Sequence, residues 1–236
     1  ANRSKYSGGG VMCSLGGVVE RCSIAGNICS NSPANGYGGG VFATNGGVIR
    51  FCAISNNYAR YDGGGVYITR GIPVTFSDCV IADNIASYSG GGVFLLTTGW
   101  VVRCDIANNR ALDSGGGGVY LYQAGVVSNC IIRGNSGGGG SGGGLYANEA
   151  GYVVQSIISG NQTPYNGGGA YLYNYCCAKD CVFTGNRADQ NGGAFYLGGT
   201  LVTASACRVE GNTAGIDGGG IYHGSGGFVE ACVVRS

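Results

Sequence analysis

Three features of this 236-residue sequence together predict an all-β fold, a single-stranded right-handed parallel β-helix (solenoid) of about nine 26-residue coils. Glycine triplets recur at near-constant intervals from one end to the other. A cysteine and then an asparagine follow each triplet at nearly fixed distances. Between these marks, residue types alternate with a period of two.

The triplets begin at Gly8, Gly38, Gly63, Gly90, Gly116, Gly142, Gly167 and Gly218, and Gly192-Gly193-Ala194 fills the remaining place. The first step is 30 residues and the others are 25 to 27, so nine units span residues 1–236 as one domain with no linker. Fourteen to sixteen residues after each triplet start stands Cys22, Cys52, Cys79, Cys104, Cys130, Cys181, Cys207 or Cys232, with Ser156 in the sixth unit. Five residues further on lie Asn27, Asn57, Asn84, Asn109, Asn135, Asn161, Asn186 and Asn212. The residue before each Asn is Gly, Asn or Asp, all types that tolerate a positive φ, so each unit is expected to turn a corner there.

After each triplet comes an aliphatic column that begins Val11, Val41, Val66, then an aromatic one, then a second mostly aliphatic one. Period-two alternation means strand, with the first and third columns on one face. Two residues past the Cys column runs another apolar column, from Ile24 to Val234, of the same parity as the cysteines. Each unit is thus expected to hold two or three short strands between glycine-rich corners. Such a unit cannot bury its own apolar face, whereas stacked units can, each strand pairing in parallel with its equivalent in the next. The hand follows from the right-handed preference of parallel crossovers. A leucine-rich repeat lacks its Leu/Asn framework here, and a nine-residue Ca²⁺-binding roll lacks its Asp.

Composition narrows the function. Glycine makes up 51 residues, and charged residues only 11%. The net charge of +1 argues against a nucleic-acid partner, which would require a basic excess. A 44% apolar content argues against disorder, and no apolar run approaches the ~18 residues of a transmembrane helix.

The unit Cys-x-[Ile/Val]-x-[Gly/Asn]-Asn, followed by Gly-Gly-Gly-[Val/Ile]-[Tyr/Phe], resembles the repeats of bacterial right-handed β-helix surface proteins. It is similar to polymorphic outer-membrane protein repeats, marked by GGA-[IVL] and FxxN elements. Gly192-Gly193-Ala194-Phe195 and Phe183-Thr184-Gly185-Asn186 come closest to these elements. The resemblance covers the whole chain at the level of the repeat and implies secretion and a surface location, extracellular or on the cell. The Cys column departs from that pattern, and no membrane-barrel segment lies within residues 1–236.

Four sets of residues are candidates for a role. Stacked at about 4.8 Å, the Asn side chains can hydrogen-bond from coil to coil, which makes them a structural ladder. The Cys column reads chiefly as buried thiols. Its Cα spacing allows disulfides, but identical side chains on parallel strands point the same way. Cys13, Cys29, Cys176 and Cys177 lie off that column and are the candidates for disulfides in an oxidising compartment; Cys29 precedes an insertion in the long first unit, and Cys176 and Cys177 replace a corner glycine. The aromatic column (Phe42, Tyr67, Phe94, Tyr120, Tyr146, Tyr171, Tyr196 and Tyr222) has outward parity. It reads either as stacking that shields the sheet or as a contact face for another protomer or for sugar rings.

Catalysis is not expected. Glu20 with Arg50, and Asp78 with Arg103, sit in shared columns of neighbouring coils and read as surface ion pairs, while Asp62 and Asp217 are far apart. One His and no Cys-x-x-Cys pair argue against a zinc site, and no cofactor is expected. Asn2-Arg3-Ser4 and Asn161-Gln162-Thr163 match the glycosylation sequon. The segment before the first triplet and the unit after the last together amount to one 26-residue coil, and neither end carries a cap. The leading expectation is therefore an extracellular filament subunit, a head-to-tail homopolymer of β-helices. The alternative is a monomeric adhesin or passenger stalk that binds glycans or a host protein, and a polysaccharide-active enzyme stands third.

Overall fold

The computed structural model describes residues 1–30, 36–69 and 71–236. The insertion expected in the first unit falls on residues 31–35, outside the described residues. The described chain is all-β, winding through four parallel sheets of nine strands each. Sheet I holds the strands that follow the triplets, from Val11–Ser14 to Ile221–His223. Sheet II runs from Val18–Glu20 to Gly227–Glu230, and sheet III from Ser23–Ala25 to Val233–Arg235. Sheet IV is made of two-residue strands just past the Asn column, from Arg3–Ser4 to Thr213–Ala214.

Sheet IV corrects the expectation of two or three strands per coil. Each of its strands has one inward residue, too few to show alternation. That inward column is small in most coils (Cys29, Ala59, Ala86, Ala111, Thr163, Ala188). All pairings are parallel and keep equivalent residues level: Val66 pairs with Val41 and Val93, and Ile106 with Ile81 and Ile132.

The inward columns of sheets I to III fill the interior. Ile54, Ile81, Ile106 and Ile132 are fully buried in sheet III, as are Val66, Val93 and Val119 in sheet I. Size is balanced within a coil. Where sheet III supplies Phe183, sheets I and II supply Ala170 and Ala178; where sheet I supplies Phe195, sheet II supplies Ala204. The two Phe rings meet edge to face at 4.8 Å.

The corner before the Asn column adopts positive φ in all eight coils, as its residue types predict, from Gly26 at 66° to Gly211 at 58°. A second left-handed corner lies one residue before the Cys column. It is occupied by Arg21, Phe51, Asp78, Arg103, Asn129, Gln155, Asp180, Ala206 and Ala231, with φ between 49° and 55°. None of these is Gly, and such conformations cost about 1–2 kcal/mol each for an L-residue. The coil-to-coil backbone bonds hold them there, as with Phe51 N–H to Ser77 O at 3.2 Å and Asp78 N–H to Val102 O at 3.0 Å.

Candidate functional site

The Asn column is a continuous hydrogen-bonded ladder. Asn84 donates its backbone N–H and its Nδ2 to Asn109 Oδ1, both at 3.0 Å, and its Nδ2 also donates to Ile54 O of the preceding coil at 2.9 Å. Asn109, Asn135, Asn161 and Asn186 repeat this pattern, and all are buried. Asn27 and Asn57 continue the column, and Asn212 ends it on Phe183 O and Glu210 O. Asn2 joins as a further rung, donating to Asn27 Oδ1. Because the Asn161 amide is fully buried in this ladder, its sequon is closed to a glycan in the folded chain.

The Cys column is built on the same logic with weaker groups. Cys52 N–H points at Cys79 Sγ (3.3 Å), Cys104 N–H at Cys130 Sγ (3.4 Å) and Cys207 N–H at Cys232 Sγ (3.4 Å). From Cys22 to Cys207 each thiol in turn donates to the carbonyl two residues back, as Cys79 does to Ser77 O at 3.1 Å, whereas Cys232 donates to Ala204 O. Ser156 performs both tasks, accepting from Cys130 N–H and donating to Val154 O, which explains a hydroxyl in a thiol column. Cys52, Cys79, Cys104, Cys130, Cys181 and Cys207 are buried, Cys232 is half-buried and Cys22 is exposed. Hydrogen bonds from Cys130 and Cys79, with burial, push the Cys104 thiol well above its ordinary range.

All twelve cysteines are free thiols. The four off-column residues are not brought together. Cys13 faces inward from sheet I and Cys29 from sheet IV. Cys176 is buried against Gly151 N–H, whereas its neighbour Cys177 is half-exposed. Burial pushes the Cys176 thiol up to about 11.

The aromatic column stands on the outer side of sheet I as a stack of rings. From Phe42 to Tyr222, centroids are 4.6 to 5.4 Å apart and planes are tilted by 5° to 13°. The expected open face is interrupted, however. Tyr67 and Phe94 are buried, and a second stack of Tyr37, Tyr61 and Tyr88 lies beside them, with Tyr37 4.7 Å from Tyr67. Tyr120, Tyr146, Tyr171, Tyr196 and Tyr222 are half-buried.

Carboxylates do not converge. Glu20 with Arg50, Asp78 with Arg103 and Asp105 with Arg133 are separate ion pairs on the outer surface. The third of these was missed in the sequence because its partners lie on a diagonal, two positions apart in register. Asp62 and Asp217 each sit just before a triplet, where a short polar column bonds backbone: Asp62 Oδ1 accepts from Ser89 N–H at 2.9 Å, and Asn191 Oδ1 from Asp217 N–H at 3.2 Å. Among the described residues, no group of three or more His, Cys, Asp or Glu is placed to hold a metal ion.

Burial raises the Asp62 carboxyl to about 6. Its folded value lies above the unfolded value near 4, so the unfolded chain releases this proton first as pH rises. Stability is then lost between about pH 4 and pH 6. Asp62→Asn keeps an acceptor for Ser89 N–H and removes this dependence. The variant should match the parent at pH 4 and exceed it by about 1–2 kcal/mol at pH 7, read by denaturant titration at both values.

Four in-register parallel sheets and an internal amide ladder describe a β-helix, and one comparison with known families agrees. A family model described as "Right handed beta helix region" matches residues 1–125 and 85–234. The chain belongs to the right-handed β-helix family. No curated protein and no solved structure matches it. In this β-helix a polar outer groove lies on sheet IV, lined by Ser136, Gln162, Thr163, Arg187 and Asp189, with Arg187 and Asp189 already paired. Among the described residues of this β-helix, no helix is long and apolar enough to cross a membrane.

Proposed function

We propose that the chain is a structural subunit of an extracellular filament, in which β-helices stack head-to-tail and coils continue from copy to copy. The observation that carries this reading is the equivalence of the coil faces. At most levels the amide, thiol, ring and backbone columns of one coil meet the matching columns of the next, with Ser156 in the thiol column and Met12 in the ring column as the exceptions. A second copy docked in register on any coil face meets the same partners. This complementarity belongs to every coil and does not depend on which coil comes last. Stacking such faces without closure gives a filament.

The polar chemistry supports a structural role. The buried amides and most of the buried thiols are engaged between coils, and Glu20, Asp78, Asp105, Asp189 and Glu210 are taken up in separate surface ion pairs with arginine. Coil spacing near 4.8 Å gives an axial repeat of roughly 43 Å per copy. Electron microscopy of the purified chain at micromolar concentration should show rods with that repeat. Discrete single particles at all concentrations would overturn the reading.

The half-buried rings from Tyr120 to Tyr222 favour a second reading, a surface adhesin that lays glycan rings along this stack. Loss of glycan binding on Tyr146→Ala, with filaments unaffected, would select it.

A further inference from the structure

The outer face of sheet II carries a feature the ladders do not use. Its strands show two outward positions per coil. In the fourth, fifth and sixth coils the first is Trp100, Val126 or Tyr152, and the second is Val102, Ser128 or Val154. None of these six is charged. Trp100 is 43% exposed and Tyr152 49% exposed, though both are large and aromatic. Val126 lies lower between them, leaving a notch of about 190 Å³ with Gly125, Ala124 and Ala150 on its floor and rim. The face therefore has a column with two tall side chains, Trp100 and Tyr152, beside a low one.

We infer that this face binds a second copy of the chain side by side, about a two-fold axis parallel to the coil axis. That operation keeps both copies pointing the same way and sets each tall column on the other's low column. Trp100 then rests on Val102 of the second copy, Val126 on Ser128, and Tyr152 on Val154. Such self-complementarity is what an isologous interface requires. The reversed arrangement, centred on Val126, sets tall column against tall column and brings Glu20 opposite Glu230, so charge and shape both select the parallel one. Strand and coil spacings give only about 190 Å² per copy for these three coils, and about 500 Å² per copy, near 1,000 Å² in total, when all nine coils of sheet II take part, which is the lower limit of a specific interface. The pairing is accordingly weak in a single copy and additive along a stack of them.

Trp100 is the only tryptophan in the chain, and it lies within the proposed contact. End-to-end stacking leaves it uncovered, so its fluorescence reports side-by-side pairing independently of the filament reading. From submicromolar to high micromolar concentration, the emission should shift to shorter wavelength and iodide quenching should fall several-fold. Val102→Lys and Ser128→Arg, both on the outer face, should each keep Trp100 quenchable throughout, with native circular dichroism. Ile131→Lys on the outer face of sheet III should behave like the parent. Constant quenching of the parent across the range, or normal pairing by both face variants, would overturn the inference.

Discussion

An Asn109→Ala chain is expected to be about 3–5 kcal/mol less stable than the parent, although it removes only a small polar group. The Asn109 side chain takes part in four hydrogen bonds inside the coil stack. Its Oδ1 accepts the Asn84 backbone N–H and the Asn84 Nδ2, and its Nδ2 donates to Ile81 O and Asn135 Oδ1. Alanine supplies none of these, and the site is closed to water, Asn109 being 1% exposed. The Asn84 N–H is then left buried without a partner, at a cost of about 1–3 kcal/mol, and the Ile81 carbonyl and both neighbouring amides each lose a bond. Asn212→Ala, in the half-buried last rung, should cost only about 1 kcal/mol, since water can reach the freed groups. Denaturant titrations of the two variants test this; equal losses would mean that the ladder is not the source.

Gly117→Ala is expected to be at least as damaging, about 4 kcal/mol or more, or to prevent folding. Gly117 is the second glycine of its triplet and does not need a positive φ. Its constraint is space: an added Cβ would lie 2.4 Å from Gly143 O and 2.4 to 2.5 Å from Ser136 C and O, all backbone. Relief requires prising one coil from the next. The same holds at Gly64, where the Cβ would meet Gly91 O and Ile85 O at 2.4 and 2.5 Å. Gly160→Ala makes an informative contrast. It has φ of 60° and open space around it, so only the conformational cost of about 1 kcal/mol applies. Thermal melts of the three variants should rank Gly160→Ala far above the other two.

The repeat made much of this legible. Asn, Cys and apolar columns recur at fixed offsets, and each corresponds to one lateral position in the coil, so the inward faces and the amide ladder could be read directly. The corner before Asn was legible because Gly, Asn and Asp advertise a left-handed residue. The corner before Cys was not, since Phe51, Gln155 and Ala206 adopt the same conformation under the pull of backbone bonds, with no preference of their own. Sheet IV was hidden because a two-residue strand has no period. Burial of Tyr67 and Phe94 depended on neighbouring loops whose course no column records. No repeated column groups Trp100 with Tyr152, and only the level pairing of their strands sets them on either side of Val126.

The amide ladder also has a direction. From Asn27 to Asn186, every rung gives its backbone N–H and one Nδ2 hydrogen to the Asn that follows it in sequence and offers its Oδ1 to the Asn before. One face of any coil thus presents donors and the other an acceptor. A neighbour that runs the same way meets donor with acceptor, while an inverted one sets oxygen against oxygen or N–H against N–H. Any rod built by continuing this column is vectorial, with two chemically distinct tips, and its growth rates at the two tips need not be equal.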